Sequence, residues 1–276
     1  MTLRSLLGPG LLGLVMACGD AAGSETSMSA DPAAVAAALP DSTWNRLAAR
    51  RIFFGHQSVG RNIRDGVRSL LAERPGLAWQ VVSIGDAATL PAGGLVEENI
   101  GQNGDPMSKT RAFSARVDSG VVGSGGIALH KYCYVDFDGA RDPDSVFADY
   151  QAAMAALRQR HPEVTLVHVT SPLRTDITGW KNQVKYRIGR ATGRDQNIRR
   201  NHFNRRLLET YAGREPVFDL ARLEATGPDG RLRHFVHRGD TVLTLAPEWS
   251  NDGGHLNPAG QRWVASHLLA FLAELP

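Results

Sequence analysis

The segment Asn251-Asp252-Gly253-Gly254-His255-Leu256-Asn257-Pro258-Ala259-Gly260 stands near the C-terminus of the 276-residue chain. It places a carboxylate three residues before an imidazole on a glycine-rich loop, directly ahead of an apolar stretch with helical spacing. Such a loop can return Asp252 to Nδ1 of His255 and leave Nε2 free. A general base needs this arrangement because the carboxylate fixes the tautomer and stabilises the imidazolium. The segment therefore predicts half of a catalytic unit, whose nucleophile must come from elsewhere in the chain.

A candidate nucleophile, Ser58, lies in the segment Ile52-Phe53-Phe54-Gly55-His56-Gln57-Ser58-Val59-Gly60. Residues 51–54 read as a short strand, and residues 61–72 carry apolar side chains at helical spacing. Ser58 is therefore expected on a strand-to-helix turn, where glycines allow a tight backbone and the helix N-terminus favours developing negative charge. The alternative is that Ser58 only caps the helix.

Strand-like and helix-like segments alternate along the rest of the chain. Strands are expected at residues 51–54, 79–84, 126–129, 164–170 and 216–220, and helices at residues 61–72, 143–161, 196–211 and 260–275. This alternation predicts an α/β fold, a three-layer α/β/α sandwich with a mostly parallel five-stranded sheet, in one domain over residues 45–276. In such sheets, functional residues collect at the carboxyl ends of the strands.

A third polar segment, Asn99-Ile100-Gly101-Gln102-Asn103-Gly104-Asp105, has no apolar periodicity. It could place a backbone N–H where an oxyanion develops. An ordinary surface turn is the alternative interpretation.

Taken together, these segments resemble the SGNH (GDSL-type) hydrolase superfamily, whose fold is flavodoxin-like. That family has a serine after the first strand, a glycine after the second, often an asparagine after the third, and Asp-x-x-His near the C-terminus. The resemblance implies that Ser58 is the nucleophile, within Gly-His-Gln-Ser rather than the usual Gly-Asp-Ser, and that Asp252 and His255 complete the triad. It also implies that the N–H groups of Ser58 and Gly104 stabilise the oxyanion.

The chain departs from the family after the third predicted strand. Where the family has Gly-x-Asn-Asp, this chain has Leu129-His130-Lys131-Tyr132-Cys133-Tyr134-Val135-Asp136, without asparagine. Lys131 or a tyrosine hydroxyl could substitute for the missing donor, or Asn103 could reach in. The residues expected to line the pocket are His56, Gln57, Lys131 and Tyr132.

Composition and charge narrow the function classes. A net charge of +3 gives no global preference for polyanions, and we expect no nucleic-acid partner. No His-Glu-x-x-His or paired-cysteine motif is present, and His234 and His237 lie in a strand-like stretch whose odd spacing puts them on opposite faces. We therefore expect neither a metal nor an organic cofactor.

The N-terminal region reads as a targeting segment. Residues 1–17 have a basic start and a short apolar run, typical of a signal peptide, and Cys18 after a small residue resembles the lipobox of bacterial lipoproteins. The expectation is an exported protein of the bacterial cell envelope, periplasmic or on the outer surface, held to the membrane by a lipid on Cys18. Residues 18–44 would form a flexible tether. A plain signal peptide with an incidental cysteine is the alternative.

A basic stretch over residues 181–206 is the strongest local charge feature. It is either a solvated helix face with a loop, or a surface that faces acidic polysaccharide or lipid headgroups.

The sequence thus predicts a serine hydrolase that cleaves carboxylic esters, with small-molecule or glycan esters as substrates and O-acyl groups of envelope or extracellular glycans as the favoured class. Two alternatives remain. One is a non-catalytic glycan-binding protein on the same scaffold, and the other is an O-acyltransferase with the same triad.

Overall fold

The computed structural model describes residues 39–86, 90–139, 141–176, 184, 188 and 193–276. The predicted signal peptide, Cys18, most of the predicted tether, and residues 181–192 of the basic stretch other than 184 and 188 lie outside the described residues. Within the described ranges, none of the helices is both long and apolar enough to span a bilayer.

The predicted α/β architecture is confirmed, with one more strand than expected. The central sheet is parallel throughout, in the order β2-β3-β1-β4-β5-β6. Its strands are β1 Arg51–His56, β2 Val81–Ser83, β3 Gly94–Asn99, β4 Ile127–His130, β5 Thr165–Val169 and β6 Val217–Phe218. The five-stranded prediction is corrected to six, because β3 was not predicted and lies between β1 and β2.

Strand β3 was not predicted from the sequence because two consecutive glutamates interrupt its apolar pattern. Glu97 is buried in the sheet, where it accepts a hydrogen bond from Nε2 of His56 at 2.8 Å and pairs with Arg64 at 3.3 Å. These partners and the hydroxyl of Ser83 hold the pKa of Glu97 at about 2, against the desolvation that burial imposes. A carboxylate supplied with such partners can occupy a central strand, although hydropathy alone argues against it.

Helices cover both faces of the sheet and enclose two separate cores. One face carries α1 Asp41–Ala48, α2 Val59–Ala72, α6 Leu220–Ala225 and α7 Pro258–Glu274, and the other carries α3 Pro106–Asp118, α4 Pro143–Arg160 and α5 Gly193–Tyr211. Alternate residues of β1 point to opposite cores: Ile52 and Phe54 to the first, and Phe53 to the second. The result is the expected three-layer sandwich.

The helix α1 begins the packed part of the chain earlier than residue 45. Leu39, Trp44 and Leu47 are buried in the first core, and the Arg46 side chain donates to the carbonyl of Ala273 at 3.0 Å. Residues 39–44 are therefore part of the folded domain and not of the predicted tether.

The close packing of α2 on α7 fixes the helix that follows the Asp252–His255 loop. Helix α7 begins at Pro258, and the Asn257 side chain caps it by accepting the Gly260 amide at 3.0 Å. Gly66 of α2 lies so close that a Cβ there would come within 2.2 Å of the Gln261 carbonyl oxygen. The Asp252–His255 loop thus enters a rigidly held helix.

A small antiparallel hairpin lies outside the sheet, formed by β7 His234–His237 and β8 Asp240–Leu243. Its strand character agrees with the interpretation of the two histidines as residues of a strand. Across the described parts of the chain, no group of three or more His, Cys, Asp or Glu side chains is placed to hold a metal ion.

Candidate active site

Ser58 occupies a strained turn between β1 and α2. Its backbone has φ 53° and ψ −108°, a conformation that residues with a Cβ rarely adopt. Ser58 stands at the N-cap position of α2, but its side chain makes no capping hydrogen bond. The turn is tight, since a Cβ at Gly60 would lie 2.2 Å from the Cβ of His56. The hydroxyl is therefore presented away from the helix end, contrary to the interpretation of Ser58 as a helix cap.

The structure brings Ser58, His255 and Asp252 into one hydrogen-bonded row. The Ser58 Oγ lies 2.7 Å from Nε2 of His255, and Nδ1 of His255 lies 2.6 Å from Oδ2 of Asp252. The first distance joins residues 197 positions apart in the chain, and the second joins residues three positions apart. A serine, an imidazole and a carboxylate in this order form an activated nucleophile with an oriented base.

Asp252 is held ionised by its own loop. Its Oδ1 accepts the backbone amides of His255 at 2.7 Å and Gly254 at 2.8 Å, while Oδ2 faces the His255 ring. The His255 amide and the His255 ring, in that order, hold the pKa of this carboxyl well below its usual range. Such a carboxylate remains charged at neutral pH and can stabilise an imidazolium.

The Asp252–His255 loop is bound to the segment after β5 and to α2. The carbonyl of Gly253 accepts the Thr175 amide at 3.1 Å and the Arg174 side chain at 3.3 Å. The Leu256 amide donates to the Asn62 side chain at 3.2 Å. The base is therefore positioned by the same sheet edge that carries the serine.

Of the predicted oxyanion residues after β3, Gly104 has its N–H group engaged elsewhere, and Asn103 has its side-chain oxygen engaged. The Gly104 amide donates to Oδ1 of Asp136 at 2.8 Å, and Oδ1 of Asn103 accepts from Nζ of Lys109 at 3.1 Å. The expectation that the Gly104 N–H faces an oxyanion is therefore corrected: a buried carboxylate takes that amide. The reason is that Asp136 reaches this loop from the segment after β4, a contact that no local pattern reveals.

Three of the four predicted pocket residues are buried and do not line an open cleft. His56, Lys131 and Tyr132 are at most 2% exposed. Gln57 is half-buried, and its side-chain amide donates to the carbonyls of Ile100 and Gly101. Gln57 thus ties the serine turn to the loop after β3, which is a supporting role.

Lys131 is buried in the interior. Its Nζ donates to the Tyr132 carbonyl at 3.2 Å and to the Cys133 sulfur at 3.6 Å. Burial lowers the pKa of Lys131 and raises the pKa of Glu224 to about 8. Both side chains are thus interior groups and do not line an open site.

Tyr134, which was not singled out in the sequence, lies against the serine and the histidine. Its hydroxyl is 3.5 Å from Nε2 of His255, which is also the partner of Ser58 Oγ at 2.7 Å. The sequence indicated it only as one of two tyrosines in the segment after β4, where the superfamily that the chain resembles often has an asparagine.

No protein-family model and no curated protein match this chain. Solved structures with a similar fold include a protein from Streptococcus pneumonia, at 13% identity and a TM-score of 0.46, covering 84% of this chain and 92% of that one. An acetyl xylan esterase is 17% identical with a TM-score of 0.44 and coverages of 79% and 97%. An aryl esterase of M. smegmatis is 10% identical with a TM-score of 0.38 and coverages of 80% and 97%. What this chain acts on has to be inferred from its own site.

Proposed function

We propose that this protein is an SGNH-type serine hydrolase that cleaves carboxylic ester bonds with Ser58, His255 and Asp252. The single observation that carries the proposal is the continuous row from Ser58 Oγ to His255 Nε2 at 2.7 Å and from His255 Nδ1 to Asp252 at 2.6 Å. The strained backbone of Ser58 supports it, because such strain is retained where it exposes a reactive side chain.

In the proposed reaction, Ser58 Oγ attacks the acyl carbon while Nε2 of His255 takes the hydroxyl proton. Asp252 remains a carboxylate and stabilises the imidazolium through Nδ1. The tetrahedral intermediate collapses when His255 returns the proton to the leaving alcohol. Water, deprotonated by the same nitrogen, then hydrolyses the acyl-serine.

For the substrate, we propose O-acylated glycans of the cell envelope or extracellular space. The support is the predicted export signal together with the four basic residues within 181–192, which suit acidic polysaccharide. Further along the same stretch, Arg194 pairs with Asp176 and Arg200 is buried. Transfer of the acyl group to a second sugar uses the same triad. Product analysis with and without an acceptor sugar separates hydrolysis from transfer, since only a transferase yields the acylated acceptor.

An active-site-directed fluorophosphonate tests the proposed hydrolase. We expect covalent labelling of the wild type and of Ser145→Ala, a control at an exposed serine in the first turn of α4. Ser58→Ala should not be labelled and should not hydrolyse acetyl esters. An unlabelled wild type without activity on acetyl esters would overturn the hydrolase and favour the non-catalytic glycan binder.

We also propose that a lipid on Cys18 anchors the protein in the bacterial envelope, since Cys18 follows an apolar run and a small residue. Cys18→Ser should release the protein from the membrane fraction. Unchanged fractionation of that variant would leave only a plain signal peptide.

A further inference from the structure

Tyr134 lies beside the row formed by Ser58, His255 and Asp252, although the family pattern has no tyrosine there. It begins the short 3₁₀ turn Tyr134–Phe137 after β4. Its hydroxyl lies 3.5 Å from Nε2 of His255, the nitrogen that is also 2.7 Å from Ser58 Oγ. The phenolic O–H and the candidate nucleophile thus approach the same nitrogen of the candidate base.

The Tyr134 ring is held in place on several sides. The guanidinium carbons of Arg174 and Arg200 lie 5.3 Å and 5.7 Å from the ring centre. Gly254 leaves room for the hydroxyl, since a Cβ there would be 3.2 Å from it. Arg200, which is itself buried, also donates to the Tyr134 carbonyl at 2.9 Å. A hydrogen-bond donor held in this way does not have to be reoriented when negative charge develops in the transition state.

The surroundings favour a neutral donor facing negative charge. Burial raises the pKa of Tyr134, so that the phenol keeps its proton at neutral pH. Two arginines beside the ring make the local potential more positive. Of the predicted alternatives, the Gly104 amide donates to Asp136, and Lys131 is buried.

We infer that Tyr134 is a catalytic residue whose hydroxyl donates a hydrogen bond to the acyl oxygen of the tetrahedral intermediate. The inference rests on the proposed ester hydrolysis. When Ser58 Oγ bonds to the acyl carbon, the carbonyl π electrons move to the acyl oxygen, and the Tyr134 hydroxyl donates a hydrogen bond to that oxygen. No bond to Tyr134 is made or broken, and the electrons return when the leaving alcohol departs with the proton from His255.

Kinetics of Tyr134→Phe test this role, because the substitution keeps the ring and removes only the donor. We expect kcat to fall by about 10²–10³-fold with KM nearly unchanged, and equally for 4-nitrophenyl acetate and for an alkyl acetate. An alkyl boronic acid, which forms a tetrahedral adduct with serine, should bind more weakly by a similar factor. Tyr211→Phe, at a buried tyrosine at the end of α5, is the control and should retain wild-type kinetics.

Three outcomes would overturn the inference. A wild-type kcat in Tyr134→Phe, with Ser58→Ala inactive, would remove the role and leave the hydrolase intact. A loss confined to the alkyl ester would assign Tyr134 to the leaving group instead. An unlabelled and inactive wild type would overturn the hydrolase itself, and the donor role with it.

Discussion

Nζ of Lys109 lies 2.5 Å from Oδ2 of Asp136, and both side chains are fully buried. The same carboxylate accepts the backbone amides of Gly104 at 2.8 Å and Cys133 at 2.7 Å. One buried ion pair thereby joins helix α3, the loop after β3 and the segment after β4. Tyr134 follows directly on Cys133, so this network also fixes the start of the turn that carries it.

Asp136→Asn should therefore be strongly destabilising, because it leaves the Lys109 ammonium buried without a counter-charge. We expect the free energy of unfolding, measured by urea denaturation, to fall by about 3–5 kcal/mol. Asp149→Asn, at an exposed pair with Arg141, is the control and should cost less than about 1 kcal/mol. Equal losses in the two variants would contradict the importance of the buried pair.

Removing both charges separates the cost of an unpaired buried charge from the contribution of the hydrogen bonds in the same network. The double variant Lys109→Met with Asp136→Leu should be more stable than Asp136→Asn, since no unpaired charge is left in the interior. A double variant less stable than Asp136→Asn would instead show that the hydrogen bonds to Gly104 and Cys133 dominate.

The strained backbone of Ser58 predicts that glycine is more stable than alanine at this position. Glycine adopts the φ of 53° without the steric penalty of a Cβ, so Ser58→Gly should be about 1 kcal/mol more stable than Ser58→Ala, with both variants inactive. Ser145 lies inside the first turn of α4, where glycine weakens the helix. There, Ser145→Gly should be less stable than Ser145→Ala. Thermal unfolding measures both differences, and the same order at both sites would refute the strain at Ser58.

The sequence predicted those parts of the site that depend on local spacing. Asp252 and His255 are three residues apart on one loop, and their contact follows from the glycines around them. Ser58 meets them because parallel strands bring their carboxyl ends to one edge of the sheet. Strand β3 could not be predicted in this way, since burial of Glu97 depends on His56, 41 residues away.

The residues around the expected oxyanion hole could not be predicted for a related reason. Whether the Gly104 amide is free depends on Asp136, 32 residues further along, and on the register of β3 and β4 relative to β1. Tyr134 was missed because two tyrosines stand in one segment, and only the course of the backbone after β4 decides which faces Ser58. Tyr132 turns instead into the second core.

Glu224 should make stability depend on pH. Burial raises its pKa to about 8, against an ordinary value of 4.5, and its Oε1 has no hydrogen-bond partner among the described residues. Between these pH values the folded state binds more protons than the unfolded state, so this group lowers stability as pH rises. We expect the free energy of unfolding of Glu224→Gln to increase relative to that of the wild type as pH rises, by up to about 1.4 kcal/mol per pH unit. Urea denaturation at several pH values between 5 and 8 measures this difference.

A matched control for this pH effect is Glu73→Gln. The Glu73 carboxylate is exposed, and its hydrogen bond with Arg262 lowers its pKa. Removing it should not produce a gain with rising pH, because its proton is released earlier in the folded state than in the unfolded one. If Glu224→Gln and the wild type have parallel stability profiles, Glu224 is not protonated in the folded protein at neutral pH.

Asp252→Asn separates the positioning of the base from the folding of its loop. The asparagine oxygen can still accept the amides of Gly254 and His255, so that the thermal stability should change little. Its NH₂ group, however, would face Nδ1 and favour the imidazole tautomer that carries a proton on Nε2, which cannot accept one from Ser58. We expect kcat for an acetyl ester to fall by about 10³–10⁴-fold. Asn251→Ala, exposed in the same loop, should keep its activity, and a kcat above about one tenth of the wild-type value in Asp252→Asn would show that Asp252 does not set the tautomer of His255.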